Sequence, residues 1–92
     1  MENLLDALTK LFETDFATVK KVGDHQLVSY NADADVVIGL CNELLINADG
    51  SCNLDNINHI RQHGYQVYPG DTDSFGWLTW VIAKNGKELV FG

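Results

Sequence analysis

The sequence predicts an α+β domain: a mostly antiparallel sheet with an amphipathic N-terminal helix and two further short helices. Three observations carry that expectation. Apolar residues near the start recur with helical period, at Leu4, Leu5, Leu8, Leu11 and Phe12. Strand-forming runs sit beside one another, on either side of Gly23-Asp24 and of Asn85-Gly86, both of which are turn dipeptides. Strands and helices do not alternate, as a parallel sheet would require. The predicted order is α-β-β-α-α-β-β-β within a single domain over residues 1–92, a length that leaves no room for two.

The first helix is expected over about residues 3–14. Glu2, Asp6, Thr9, Lys10 and Glu13 take the side opposite the leucines, and the acids suit its N-terminal dipole end. Its apolar stripe is expected to pack on a sheet. Residues 17–22 and 26–30 then read as a hairpin, with Val19, Val22, Leu27, Val28 and Tyr30 as strand formers. Lys20 and Lys21 are adjacent and point to opposite faces, which marks an edge or half-solvated strand.

Asn31 to Asp35 is a polar break in which Asp33 or Asp35 is expected to cap a helix over about 34–46. Val36-Val37-Ile38 is β-branched and argues for a strand instead; the length of the segment favours the helix. The turn Asn47-Ala48-Asp49-Gly50-Ser51 follows. Asn53 caps a short helix to His63 with Leu54, Ile57 and Ile60 inward, and Gly64 occupies the C-cap position. Residues 65–68 read as a strand, 69–74 as a loop, 76–83 as a strand and 87–91 as its return.

Composition is that of a globular chain, 46% hydrophobic and 21% charged, with a net charge of −7. The charge is uneven. Residues 22–60 hold Asp24, Asp33, Asp35, Glu43, Asp49 and Asp55 with no Lys or Arg, and supply nearly all of it. Such a field repels nucleic acid and anionic membrane and attracts a basic protein surface or a cation; solubility alone also accounts for it. No stretch is long and apolar enough to span a bilayer, and Glu2 stands where a signal peptide needs Lys or Arg. A cytoplasmic location is expected, with Cys41 and Cys52 as reduced thiols.

Few constellations suggest chemistry. His59 and His63 are four apart on a helix, close enough to share a metal ion. Cys41 and Cys52 lack the close spacing of a zinc knuckle, so His59 and His63 are read as a surface pair without metal and no cofactor is expected. Asp71-Thr72-Asp73 and Asp33-Ala34-Asp35 each offer two carboxylates, and Asn47-Asp49-Gly50 matches only a fragment of a calcium loop. No spacing marks a catalytic nucleophile. Tyr65, Tyr68, Phe75, Trp77 and Trp80 crowd one stretch. In a strand, Trp77 and Trp80 face opposite sides, so one of them needs a cover outside a single-layer core, and aromatics of this kind anchor interfaces.

The ending Asp73-Ser74-Phe75-Gly76-Trp77-Leu78, with a short strand closing on Phe91-Gly92, resembles small uncharacterised proteins carried by bacterial phages and plasmids. That resemblance covers the C-terminal segment alone and implies inhibitors of host defence or host enzymes. Together these readings lead to a small acidic non-enzymatic binding protein that engages a basic protein partner. Asp33, Asp35, Asp49, Tyr68, Phe75 and Trp77 are its expected contact residues, and a homodimer is compatible with them. The alternatives are a metal- or small-ligand-binding domain around His59 and His63, or a subunit of a small oligomeric enzyme.

Overall fold

The computed structural model describes residues 2–72 and 75–92. Its elements are α1 (Glu2–Phe12), β1 (Ala17–Val22), β2 (His25–Tyr30), α2 (Ala32–Leu45), α3 (Leu54–Gln62), β3 (Gln66–Thr72), β4 (Leu78–Lys84) and β5 (Lys87–Phe91). The α+β class and the predicted order hold. All strand pairs are antiparallel, but they form two sheets, β1-β2 and β3-β4-β5, where one layer was expected.

The two sheets meet at the edge of β5. The Val90 backbone N–H donates to the Tyr30 hydroxyl at 3.2 Å, so a side chain of the hairpin stands where the carbonyl of an adjoining strand would be. The hairpin leans on the sheet without extending it.

The core lies on one face of β3-β4-β5. Leu4 and Leu8 of α1, Cys41 and Leu45 of α2, Ile57 and Ile60 of α3, Ile82 of β4 and Leu89 of β5 are fully buried. Among the described residues, every buried side chain is apolar or, as in Tyr65, aromatic. Helix α2 lies against β5 and α3 against β3, while α1 packs chiefly on α2 instead of directly on a sheet. Phe12 closes the C-terminal end of α1 edge-on against Tyr65, ring centroids 5.4 Å apart. The Lys87 ammonium then donates to the Phe12 carbonyl at 3.2 Å and the Thr14 carbonyl at 2.9 Å, supplying the cationic cap a helix C-terminus favours.

Helix α2 settles the ambiguity at residues 36–38. Ala34, Val37, Cys41 and Leu45 recur at helical spacing and are buried, while Val36 is 66% exposed. Its cap is Asn31, whose side-chain oxygen accepts from the Ala34 N–H at 2.8 Å with β-region backbone, and not Asp33 or Asp35. The helix begins two residues earlier than the acids suggest, which places both in the first turn, facing the positive dipole end.

Two further boundaries move. Strand β3 runs on through Pro69, Gly70 and Asp71 to Thr72, where a loop was expected; pairing steps from Pro69↔Trp80 to Thr72↔Leu78 across a bulge. An edge strand tolerates a proline because its outward side needs no donor. The rest of the expected loop, Asp73 and Ser74, lies outside the described residues. Strand β4 starts at Leu78, so Trp77 precedes it and is not part of its alternation. The Asn85-Gly86 turn is as expected, with φ of 55° and 78°, both in the left-handed region a type I′ hairpin requires.

Two stability predictions follow from this packing. Leu8 is fully buried, and Leu8→Ala should lower unfolding free energy by about 2–4 kcal/mol in urea denaturation. Asn31→Ala should cost ~1 kcal/mol as a lost cap, whereas Asp33→Asn should stay within about 0.5 kcal/mol.

Candidate functional site

The sequence-predicted contact residues fall into three places. Asp33 and Asp35 are exposed in the first turn of α2. Asp49 follows the other end of that helix, about 20 Å away along the axis at 1.5 Å per residue. The three acids therefore do not form one patch. Tyr68 projects from β3 on the sheet face away from the helices, beside Val81 and Val90. Phe75 and Trp77 are 85% and 67% exposed in the segment before β4.

The structure does join Asp49 to Trp77. Both line an open groove of about 680 Å³ whose other walls include Ile46, Cys52, Leu78 and Trp80. One wall is the 47–51 turn and the other is the start of β4. The two are held in place by different means.

The turn is a rigid bracket. Ile46 and Cys52 form an isolated antiparallel bridge beneath it, and the Asn47 N–H donates to the Ser51 carbonyl at 2.7 Å. The Asn47 amide reaches the Ser51 hydroxyl at 3.0 Å. Asp49 Oδ1 accepts from the Ser51 hydroxyl at 2.6 Å and from the Ser51 N–H at 3.0 Å. These two hydrogen bonds favour the ionised form and hold the Asp49 carboxyl below the usual aspartate range, although it is fully solvent-exposed. Below the bracket, the Asn53 side chain caps α3 by accepting from the Asn56 N–H at 3.2 Å, and the Asn56 amide donates to the Leu44 carbonyl at 2.8 Å. The end of α2 and the start of α3 are thereby locked together.

The opposite wall is set by the sheet. Trp80 pairs with Pro69 on one side and Phe91 on the other, and is half-buried against the core. Trp77, just outside the ladder, stays open to solvent. A hydrogen-bonded carboxylate on one wall of the groove and an exposed tryptophan on the other suit a cationic side chain, which can use both charge pairing and the face of an aromatic ring.

The remaining candidates behave differently. The rings of His59 and His63 lie 5.0 Å apart, and His63 Nδ1 is 2.9 Å from the His59 carbonyl, so the pair shares one helix face as predicted. No group of three or more His, Cys, Asp or Glu side chains placed to hold a metal ion occurs among the described residues. Cys41 is fully buried in α2, and burial pushes its thiol up to about 12, so at neutral pH it is a packing atom and not a nucleophile. No helix among the described residues is long and apolar enough to cross a membrane.

The Asp49 bracket gives a direct test. In a carboxyl NMR titration of the folded chain, Asp49 should lose its proton at lower pH than an ordinary aspartate, and Ser51→Ala should move that midpoint upward by removing the hydroxyl donor. No family model, curated protein or solved structure matches the chain, so the site is defined by its own geometry.

Proposed function

We propose that the chain is a small acidic non-enzymatic binding protein that engages a basic partner surface through the groove between Asp49 and Trp77. The observation that carries this reading is the placement of an ionised, doubly hydrogen-bonded carboxylate and an exposed indole on the walls of one groove. Neither group is costly to present alone. Together they offer an arginine or lysine side chain a charge partner and an aromatic face, and arginine is the side chain that uses both best. The net charge of −7 draws such a partner in from a distance. The resemblance of the C-terminal segment to phage- and plasmid-borne proteins extends the reading to an inhibitor that covers a basic surface on a host protein.

The test is an NMR titration of the labelled chain with a capped arginine-containing tripeptide. Shifts should centre on the Trp77 indole N–H and the Ser51 amide. The Ser51 amide shift should vanish in the Asp49→Asn Trp77→Ala double variant, and both shifts should weaken in the unsubstituted chain as salt shortens the Debye length from about 10 Å at 0.1 M to about 3 Å at 1 M. Asp33→Asn with Asp35→Asn should leave them nearly unchanged, because those acids sit at the far end of α2. No shift at Trp77, or shifts that survive the double variant, would overturn the assignment.

A further inference from the structure

The Asp49–Trp77 groove leaves the histidine pair of α3 unused. His59 lies in the last turn of that helix and His63 is its C-terminal cap residue. Their spacing of four places both imidazoles on one face, and both are exposed. Spacing alone says no more than this. The structure adds the tautomer of one ring and the separation of the two.

His63 Nδ1 lies 2.9 Å from the His59 carbonyl oxygen. A carbonyl only accepts, so in the neutral ring Nδ1 carries the proton and Nε2 keeps its lone pair. A metal-binding histidine has the same arrangement: its second ring nitrogen donates to a backbone carbonyl or a carboxylate, which fixes the tautomer and the orientation of the ring. The bond also draws the His63 ring back along the helix, toward His59.

The two ring centroids are 5.0 Å apart, with the ring planes inclined at 50°. An imidazole nitrogen binds zinc at about 2.0–2.1 Å and the ring centre lies about 1.2 Å beyond it, so each centroid stands about 3.2 Å from a bound ion. Two such rings at bond angles of about 90° to 109°, the octahedral and tetrahedral values, have centroids about 4.5–5.2 Å apart. The observed separation falls in that range. The rings already stand at chelating distance, and the movement left is rotation of exposed side chains about their own torsions.

We propose that His59 and His63 together bind one divalent transition ion of the nickel–copper–zinc group, with water in its remaining positions. Imidazole is the donor these borderline ions favour, whereas magnesium and calcium take oxygen. Two protein donors make an exchangeable site, unlike the four of a structural zinc centre, so the fold does not depend on it. Asp55, one turn before His59, adds negative charge to the same helix face. Two cations lie near in the fold, and each has partners of its own. Arg61 donates to the Val67 carbonyl at 3.2 and 2.7 Å and to Asn58 at 3.1 Å. Lys84 sits over the Tyr65 ring, 4.5 Å from its centroid. No residue of α3 lines the Asp49–Trp77 groove, so the two sites stand or fall separately.

Titration of the full chain with NiCl2, followed by calorimetry and by NMR of the histidine ring protons, tests the proposal. Nickel is the probe because Cu2+ oxidises thiols and Cys52 is only half-buried. One-to-one uptake is expected with a dissociation constant below about 1 mM. The ring signals of His59 and His63 should broaden and those of His25 should not. His59→Ala and His63→Ala should each weaken binding at least about tenfold, because the second bond of a chelate forms at high effective concentration. His25→Ala should change nothing, and excess MgCl2 should not displace the nickel. Absence of uptake at about 1 mM Ni2+ would overturn the proposal. So would broadening centred on other residues, binding that survives either α3 variant undiminished, or displacement by Mg2+, which would reduce the effect to the general acidity of the chain.

Discussion

Everything in this molecule depends on covering one face of a three-stranded sheet with apolar helix surface. Leu89 and Ile82 from the sheet, Cys41 and Leu45 from α2, Ile57 and Ile60 from α3, and Leu4 and Leu8 from α1 supply the seam. Among the described residues no polar or charged group is buried. Stability therefore rests on area removed from water and on packing, with little help from buried polar networks. Three helices are enough to close that face, and among the described residues there is no further helix with which to cover the hairpin. The exposed valines of β1 and β2 are the other side of the same economy. The placement of α2 also decides the groove, because the bridge Ile46↔Cys52 and the 47–51 turn grow directly from its C-terminal end.

Most of the fold was legible because its signals are local. The leucine stripe of α1, the Asn53 cap, Gly64 beyond α3 and the Asn85-Gly86 turn each declare themselves within a few residues. What was misread depends on partners distant in sequence. Pro69 and Gly70 look like a loop until β4 pairs alongside them. Asp33 and Asp35 look like caps because the helix start is ambiguous by two residues, and only backbone geometry shows Asn31 making the bond. Adjacent strand-forming runs suggested one sheet; the hairpin instead forms its own and meets the edge of β5 through the Tyr30 hydroxyl.

The candidate site was legible as a list of residue types and not as an arrangement. Counting charge along the chain revealed an acidic segment, but a helix of α2's length carries Asp33 and Asp35 away from Asp49. Crowding of aromatics between Tyr65 and Trp80 was equally visible, yet these side chains go to different places. Tyr65 is buried, Trp80 is half-buried, and Trp77 remains outside. Nothing in local spacing could join Asp49 to Trp77, since the first belongs to a turn between helices and the second to the approach of a central strand. The self-contained bracket around Asp49 was the detectable part, because Asn, Asp and Ser at those offsets are the residues that bond to nearby backbone.

Lys87 has a bearing on how the chain comes to be folded. It lies in β5, yet its ammonium caps carbonyls at the far end of α1, 75 and 73 residues earlier in the chain. Leu89 and Phe91 of the same strand complete the core against which the helices rest. During synthesis α1 emerges before β5 and can pack on α2, but it lacks the cap from Lys87 until β5 has been made. The bonds from Lys87 and the contacts of Leu89 and Phe91 are the last part of the core that the growing chain can supply. Contacts so distant in sequence slow folding. For a nascent chain of this kind, the interval before β5 arrives is the period of greatest exposure to aggregation and proteolysis.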